Sequence, residues 1–232
     1  MISKALILAA GRGTRMGSLT VDLPKPMLPL KGRPILDHLI ERMTAAGLRE
    51  FGVVIGYRAE AVERHFAGRA EISFFRQETI DGTARAALLG REWVGGEAFL
   101  FTFGDILTES RDYRAMIDLL DLGYDAVAAV REVDDPWAGA AVYEAGGVVA
   151  RIVEKPPKGT SATRWGSAGV YCFRADVFEE LARVPLSTRG EYELTSAVEA
   201  LVAKGRVAIH PLTGVWRDIG RPEDWEAAQS EV

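Results

Sequence analysis

Residues 5–16 read Ala-Leu-Ile-Leu-Ala-Ala-Gly-Arg-Gly-Thr-Arg-Met, and this stretch decides the fold. Its first six residues form an apolar run that predicts a buried β-strand and is too short to span a membrane. Glycine and basic residues follow at once, so the strand runs directly into a loop. In open α/β sheets, ligands bind beyond the carboxyl ends of the strands. The stretch therefore predicts the first strand of such a sheet, followed by a loop suited to a ligand.

Strand and helix patterns alternate from this first strand to residue 130. Strands are predicted at residues 51–55, 71–75, 98–103 and 125–130. Helices are predicted at residues 58–66, 83–93 and 111–122, with an earlier one opened by Pro34. Such βαβ units form a Rossmann-like α/β fold, with a mainly parallel sheet and helices on both of its faces.

The pattern changes after residue 131. Residues 140–144, 148–154 and 168–173 are strand-like with no long helix between them, which predicts an inserted antiparallel part of the sheet. A helix at 191–204, a strand at 207–211 and a closing helix at 222–229 complete the pattern. Since no linker or repeat interrupts it, we expect one domain over residues 1–232, with a distinct subregion at about residues 132–215.

The bulk composition excludes several classes of protein. The 232 residues are 48% hydrophobic and 26% charged, which is ordinary for a globular domain. A formal net charge of −5 argues against nucleic acid as a partner, and no run is long enough to cross a membrane. The single cysteine, Cys172, permits no intrachain disulfide, so a reducing, cytoplasmic setting is the simpler expectation.

The first loop has the features of a phosphate-binding loop. Gly11 and Gly13 allow close approach of the backbone, and consecutive N–H groups from Ala10 to Thr14 can surround an anion. Arg15 supplies a guanidinium, and Lys25 follows in the restricted sequence Leu-Pro-Lys-Pro-Met at residues 23–27. The glycine spacing is one residue too long for a dinucleotide fingerprint, and no Walker-type Gly-Lys-Ser/Thr follows. The remaining alternative is a glycine turn with solvated charges.

A second loop, at residues 76–84, follows a predicted strand and opens a helix. The carboxamide of Gln77 offers both a donor and an acceptor, which suits the edge of uracil or thymine. Gly82 permits close backbone approach, and Thr83 fits the N-cap of the helix. A surface glutamine before a capped helix is the alternative interpretation.

Two aspartates are candidate metal ligands. Asp105 ends the strongly apolar strand at 98–103, and Asp218 lies between a strand-like stretch and the helix opened by Pro222. Mg²⁺ prefers hard oxygen ligands and usually takes one or two carboxylates together with phosphates and waters. A simple turn is the competing explanation for each. Three further aspartates on the predicted helix at 111–122 are expected to be solvated: Asp112, Asp118 and Asp121.

Residues 8–16, Leu-Ala-Ala-Gly-Arg-Gly-Thr-Arg-Met, and residues 23–36, Leu-Pro-Lys-Pro-Met-Leu-Pro-Leu-Lys-Gly-Arg-Pro-Ile-Leu, resemble the signature of the sugar-phosphate nucleotidyltransferases. This family includes glucose-1-phosphate thymidylyl- and uridylyltransferases and mannose-1-phosphate guanylyltransferases. The resemblance is dense over residues 5–40 and recurs to residue 220. It implies the nucleotide-diphospho-sugar transferase fold, base binding by Gln77 and Gly82, and a Mg²⁺ ion on Asp105 and Asp218.

The resemblance also assigns the sugar side of the site, in the subregion at about 132–215. Glu154 matches a residue that binds sugar hydroxyls, and Lys155 matches one that binds the sugar phosphate. Ser167 and Gly169 match an Asn-Ala-Gly-x-Tyr strand, with serine in place of asparagine. Gly139 matches a site glycine that relatives often precede with tyrosine, whereas this chain has alanine there.

The reaction implied is transfer of a nucleoside monophosphate from a nucleoside triphosphate, with UTP or dTTP favoured, to a sugar 1-phosphate, with Mg²⁺ and release of pyrophosphate. Arg15, Lys25 and Asp105 are the expected catalytic residues. Two alternatives stay open: the same fold acting on another acceptor, as in cytidylyl- and molybdopterin guanylyltransferases, and a catalytically silent homologue that senses a nucleotide sugar. The identity of the sugar and the oligomeric state do not follow from the sequence. No repeat-type C-terminal extension is present in it, so no second acyltransferase activity is expected.

Overall fold

The computed structural model describes residues 2–231. The strands, in chain order, are β1 (Lys4–Leu8), β2 (Pro29–Leu30), β3 (Arg33–Pro34), β4 (Glu50–Ile55), β5 (Ile72–Arg76), β6 (Phe99–Phe103), β7 (Ile106–Thr108), β8 (Ala126–Glu132), β9 (Ala140–Ala145), β10 (Val148–Glu154), β11 (Trp165–Phe173), β12 (Val207–Pro211) and β13 (Trp216–Asp218). The helices are α1 (Ile35–Ala45), α2 (Ala59–His65), α3 (Thr83–Leu88), α4 (Arg91–Val94), α5 (Ser110–Asp121), α6 (Val177–Arg183), α7 (Leu194–Lys204) and α8 (Pro222–Glu231).

The main sheet within residues 2–231 has nine strands in the order β5-β4-β1-β6-β11-β8-β12-β10-β9. β5, β4, β1 and β6 are parallel neighbours, as βαβ units require. β11 enters between β6 and β8 and is antiparallel to both, and β10 is antiparallel to β12 and β9. The sheet is therefore mixed. β8 and β12 are parallel neighbours as well. The reversed strands are β10 and β11, so the sheet combines the predicted parallel units with the antiparallel part predicted after residue 131.

Helices cover both faces of this sheet, as predicted. Side chains alternate along a strand, so β1 sends Ala5 and Ile7 into one hydrophobic core and Leu6 and Leu8 into another. The first core also contains the buried faces of α1, α2 and α5. The second contains those of α3, α6 and α7. The apolar run of residues 5–10 is thus buried on both sides.

Two predicted elements differ from those observed. The helix predicted at 83–93 is divided into α3 and α4 at Gly90, where an added Cβ would lie 2.7 Å from a Leu6 methyl carbon. Close packing of this turn on β1 explains the break. α6, a short helix between β11 and α7, was not predicted from the sequence. Across the part of the chain that the structure describes, we find no helix with the length and apolarity needed to cross a membrane.

A small second sheet joins two distant parts of the chain. β7 follows Asp105 directly, and it pairs antiparallel with β13, which ends in Asp218. The backbone N–H of Ile219 donates to the carbonyl oxygen of Asp105 at 2.9 Å. This pairing brings the two predicted metal carboxylates to one edge of the main sheet.

Asp112 holds the segment that leads into β13, and its predicted solvation is wrong. Its side chain is fully buried on α5. One carboxylate oxygen accepts the N–H and hydroxyl of Thr213, each at 3.0 Å, and the other accepts the N–H of Gly214 at 3.0 Å. The ring of His210 lies 3.0 Å from the first oxygen. Burial alone would raise the pKa of Asp112, but these hydrogen bonds outweigh it and hold the pKa below its ordinary value.

We expect Asp112→Ala to lower the free energy of unfolding by about 3 kcal/mol, because it leaves several buried donors without an acceptor. Asp118→Ala, on the exposed side of the same helix, is the matched control and should change it by less than about 0.5 kcal/mol. Urea denaturation measures both.

The effect of Asp112→Ala should also depend on pH. Because the folded-state pKa of Asp112 is lowered, its contribution is present above the unfolded pKa of about 3.9 and is lost as the pH falls through the folded value. The difference between wild type and variant should therefore shrink in acid. A difference that grows below pH 4 would contradict this role.

Candidate active site

Two adjoining cavities lie along the carboxyl ends of the parallel strands. Their volumes are 420 Å³ and 390 Å³, and both are lined by Arg15, Thr83 and Asp105. We call them the loop-side and the sugar-side cavity. The loop-side cavity contains the predicted residues Ala10, Gly11, Gly13, Thr14, Arg15, Lys25, Gln77, Gly82, Thr83 and Asp105. The sugar-side cavity contains Gly139, Glu154, Lys155, Ser167, Gly169 and Asp218. All the site residues predicted from the sequence therefore lie in one cleft, and the two cavities meet at Arg15 and Asp105.

The glycine loop is held in a defined shape. Gly13 has φ 62°, which favours glycine, and its carbonyl oxygen accepts the N–H of Met16 at 2.9 Å and the hydroxyl of Thr20 at 3.0 Å. Met16 is buried beneath the loop. An added Cβ at Gly11 would meet no atom within 4 Å, so the space before the loop is open. The loop can therefore present its backbone to an anion without rearrangement.

Lys25 and Asp105 form an ion pair at the junction of the two cavities. Their side chains are only 13% and 16% exposed, so the pair is largely shielded from solvent. Pro24 precedes a short 3₁₀ helix that begins at Lys25. The prolines on either side restrict this backbone, which keeps the ammonium directed at Asp105.

The second carboxylate at this point, Asp218, is electrostatically unfavourable when it is ionised. Burial raises the pKa of Asp218, and the charge of Asp105 raises it further, whereas Lys25 and Arg15 oppose the shift. Two carboxylates brought together in a half-buried position favour a proton or a cation between them. Within residues 2–231 there is no group of three or more His, Cys, Asp or Glu side chains that could hold a metal.

Gln77 lies at the far end of the loop-side cavity, just beyond β5. It is 9% exposed, and its amide nitrogen lies 3.3 Å from the carbonyl oxygen of Gly82. Its backbone N–H donates to Ile55 at 2.8 Å, which fixes the residue against β4. The side chain is therefore held in place with its carboxamide at the cavity wall.

Gly82 and Thr83 have structural roles that the sequence did not reveal. Gly82 has φ 135°, and an added Cβ would lie 2.3 Å from the carbonyl oxygen of Tyr192. The N-cap of α3 is Gly82 and not Thr83, which corrects the prediction. The hydroxyl of Thr83 instead accepts the N–H of Leu194 at 2.9 Å, at the start of α7. This region ties the start of α7 to the loop-side cavity.

Glu154 and Lys155 lie at the end of β10, on the wall of the sugar-side cavity. Glu154 accepts a hydrogen bond from the hydroxyl of Thr195 at 2.6 Å, and its other oxygen lies 3.5 Å from the guanidinium of Arg189. Lys155 has φ 40°, an uncommon conformation for a residue other than glycine, and its N–H donates to Gly139 at 2.8 Å. The sharp change of direction places adjacent acidic and basic side chains on one cavity.

Ser167 and Gly169 lie in an irregularity of β11, where its register with β8 shifts between Ser167 and Tyr171. Gly169 has φ 72°, and an added Cβ would lie 2.4 Å from Ile106, so only glycine fits. The hydroxyls of Ser167 and Tyr171 are 2.7 Å apart, and the N–H of Gly169 donates to Ser167 at 3.2 Å. The irregularity opens the sheet beside the cavity.

Several cavity residues were not predicted as site residues. They come from β8, β11, the segment before α7, α7 and β13, and they are Arg131, Tyr171, Arg189, Glu193, Thr195 and Trp216. For Arg131 a signal existed, since it ends an apolar strand just as Asp105 does. Glu193 also has a structural contact, because its carboxylate accepts the hydroxyl of Ser187 at 3.0 Å while it borders the cavity. The other four give no local signal, because only the folding of distant segments places them here.

Known proteins are similar to this sequence over most of its length. Residues 4–232 match the nucleotidyl transferase family. The bifunctional protein GlmU of Methanocaldococcus jannaschii is 36% identical over 222 residues, which cover 95% of this chain and 52% of that protein. The UTP–glucose-1-phosphate uridylyltransferase AglF of Haloferax volcanii is 32% identical over 244 residues, which cover 99% of this chain and 96% of that protein. The chain thus spans about half the length of the GlmU relative and nearly all of AglF.

Solved structures confirm the fold type. The crystal structure of a UDP-glucose pyrophosphorylase complexed with UDP-glucose superimposes with a TM-score of 0.91, over 100% of this chain and 98% of that one, at 24% identity. This similarity shows the fold. The match to the family over residues 4–232, together with two relatives above 30% identity, shows that the chain belongs to the nucleotidyl transferase family, as the resemblance of residues 5–40 predicts.

Proposed function

We propose that this chain transfers a nucleoside monophosphate from a nucleoside triphosphate to a sugar 1-phosphate and releases pyrophosphate. The observation that carries the proposal is the meeting of the two cavities at Arg15 and Asp105. One cavity has the glycine loop and Gln77, and the other has Glu154 and Lys155. Two anionic substrates can therefore approach one point from opposite sides.

The loop side would hold the triphosphate. Backbone N–H groups from Ala10 to Thr14 can donate to phosphate oxygens, and Arg15 and Lys25 add positive charge. Lys25 would move from its partner Asp105 toward the departing pyrophosphate. Holding both reactants in line supplies much of the rate enhancement in such transfers.

Asp105 and Asp218 fit a Mg²⁺ site. Mg²⁺ is usually bound by one or two carboxylates, with substrate phosphates and waters as its other ligands, and the two aspartates meet that requirement. The raised pKa of Asp218 beside Asp105 indicates a place where a cation would relieve repulsion. When bound, Mg²⁺ supplies neutralisation of the phosphate charges.

The chemistry needs no covalent intermediate with the protein. An oxygen of the sugar phosphate attacks the α-phosphorus of the triphosphate, and the bond from that phosphorus to the bridging β-phosphate oxygen breaks. Because the attacking oxygen is already anionic, no side chain has to remove a proton. Arg15, Lys25 and Lys155 would instead orient the phosphates and oppose their mutual repulsion.

Gln77 would select the base. A carboxamide can pair with the N–H and the adjacent carbonyl of uracil or thymine, which favours UTP or dTTP. The Haloferax volcanii relative is named as using UTP, and this supports UTP.

We also propose a cytoplasmic location, since the one thiol of the chain, Cys172, is buried and forms no intrachain disulfide.

The direct test is a pyrophosphate-release assay over a grid of triphosphates and sugar 1-phosphates, with and without EDTA. We expect release that requires both substrates and that EDTA abolishes.

Asp105→Asn should keep the fold and lower kcat by roughly 100-fold, the usual loss when one key electrostatic group is removed. Asp118→Asn, on the exposed face of α5, is the matched control. Full turnover by folded Asp105→Asn protein would refute the proposed role of Asp105. If the wild type releases no pyrophosphate with any pair of substrates, the proposed reaction is refuted, and nucleotide-sugar sensing or another acceptor is favoured.

Lys155→Ala should raise the KM for the sugar 1-phosphate by roughly 10- to 100-fold, because a charged hydrogen bond to the phosphate is lost. The KM for the triphosphate should stay within about 2-fold, since the triphosphate lies in the other cavity. Lys158→Ala is the control, because Lys158 is exposed nearby and lies over Trp137. An unchanged sugar KM would contradict the assignment.

Asp218→Asn should stabilise the metal-free protein at neutral pH while it abolishes turnover. A carboxylate with a raised folded-state pKa keeps its stability contribution below its unfolded pKa, about 3.9, and loses it as the pH rises through the folded value. In EDTA at pH 7 we expect Tm to rise by about 2–4 °C, the shift that about 1 kcal/mol produces in a chain of this size. The gain should disappear in acid, and a lower Tm at pH 7 would count against the argument.

A further inference from the structure

Arg131 is a cation of the sugar-side cavity that the proposed reaction does not use. It lies near the end of β8, and its guanidinium is fixed by stacking on the ring of Trp216, with 4.0 Å between the guanidinium carbon and the ring centroid. Trp216 is fixed in turn, because its indole N–H donates to the carbonyl oxygen of Ala168 at 2.9 Å. Stacked arginines keep their planar donors in one orientation. Arg131 is therefore a preorganised donor on the cavity wall.

Within residues 2–231, the guanidinium of Arg131 donates no hydrogen bond to another residue. Its Nε is buried and lacks a hydrogen-bond partner in the part of the chain that the structure describes. Nor does its guanidinium take part in any ion pair found between residues 2 and 231. Leaving a buried charged donor unpaired is costly, so such groups usually have a functional partner.

The acidic side chains around this cavity are engaged elsewhere. Glu154 accepts from Thr195 at 2.6 Å and lies near Arg189, and Glu193 accepts from Ser187 at 3.0 Å. Asp218 is the carboxylate whose charge acts on Arg131, and it is half of the proposed metal pair. Among residues 2–231, then, no carboxylate forms an ion pair with Arg131, and the one whose charge acts on it is assigned to the metal.

One cation of the sugar-side cavity has no phosphate group assigned to it in the proposed reaction. Arg15, Lys155 and Arg131 all line the sugar-side cavity, and none of them forms an ion pair within residues 2–231. Arg15 faces the triphosphate side as well, and Lys155 is assigned to the 1-phosphate. The cavity also has room beyond these groups, because an added Cβ at Gly139 would meet no atom within 4 Å.

We propose that the acceptor carries a carboxylate in addition to its 1-phosphate, and that Arg131 binds that carboxylate. The acceptor class would then be an acidic sugar 1-phosphate, such as a uronic acid 1-phosphate. Paired N–H groups of a guanidinium match the two oxygens of a carboxylate, whereas a neutral hydroxyl would leave part of the fork unpaired. This inference rests on the proposed function, since it names the acceptor of that reaction.

The test compares two acceptors that differ only at C6, α-D-glucose 1-phosphate with a hydroxymethyl group and α-D-glucuronic acid 1-phosphate with a carboxylate. Both are assayed with the wild type, Arg131→Gln, Arg131→Lys and Arg151→Gln. Arg151 is a matched control, because it is also a strand arginine over an aromatic ring, Tyr143, but lies outside the cavity. Wild-type kcat/KM should be higher for the acidic acceptor by roughly 10-fold or more.

Arg131→Gln should abolish or reverse the preference for the acidic acceptor. We expect kcat/KM for the acidic acceptor to fall by roughly 10- to 100-fold, mainly through KM, with a change of less than about 3-fold for the neutral acceptor. Arg131→Lys keeps the positive charge but loses the planar guanidinium, so its kcat/KM for the acidic acceptor should lie between those of the wild type and Arg131→Gln. Arg151→Gln should match the wild type. The inference would be overturned if Arg131→Gln lowered kcat/KM equally for both acceptors, or if the wild type preferred the neutral sugar. Equal losses would assign Arg131 to the 1-phosphate or the metal site.

A binding measurement separates this inference from the reaction itself. If no acceptor supports pyrophosphate release, the proposed function fails, but calorimetry with UDP-glucuronic acid and UDP-glucose still tests Arg131. Tighter binding of the acidic nucleotide sugar by roughly 10-fold, removed in Arg131→Gln, would support the inference. Equal affinities would refute it, and thermal melting confirms that each variant is folded.

Discussion

The pairing of β7 with β13 is the interaction on which the site depends. It fixes the carbonyl oxygen of Asp105 to the N–H of Ile219 at 2.9 Å, and so places Asp218 beside Asp105. The short strands could not hold this arrangement alone, since a two-stranded sheet is marginally stable in water. The buried carboxylate of Asp112 anchors the backbone just before β13 and supplies the missing support.

The mixed sheet explains why the cleft has two chemically different halves. Its parallel half, β5-β4-β1-β6, presents the glycine loop and Gln77 at strand ends, where parallel strands gather ligand-binding loops. The other half, which contains the reversed strands β10 and β11, contributes the turn after β10 and the irregular part of β11. Because β11 lies directly beside β6, the two halves meet at Asp105.

The cleft is organised around charges that the protein leaves partly uncompensated. Asp218 is held beside Asp105 at an electrostatic disadvantage, and Arg15, Lys155 and Arg131 line the cleft without ion pairs in the described residues. Such an arrangement lowers stability, and folded proteins keep it where substrates or ions supply the missing partners. These uncompensated charges allow the site to be recognised from its electrostatics as well as from its sequence motifs.

Most of the strands and helices, and the polar residues at their ends, could be predicted from the sequence. The first strand and its loop, Gln77 after β5 and Asp105 after β6 could be predicted, because an apolar strand that ends in a polar residue is a local signal. Only the three-dimensional structure shows the order of the strands in the sheet, the burial of Asp112, and the presence of Arg131 and Trp216 in the cleft. Those features depend on contacts between segments far apart in the chain, and the periodicity of a single segment carries no information about which distant segment it will meet.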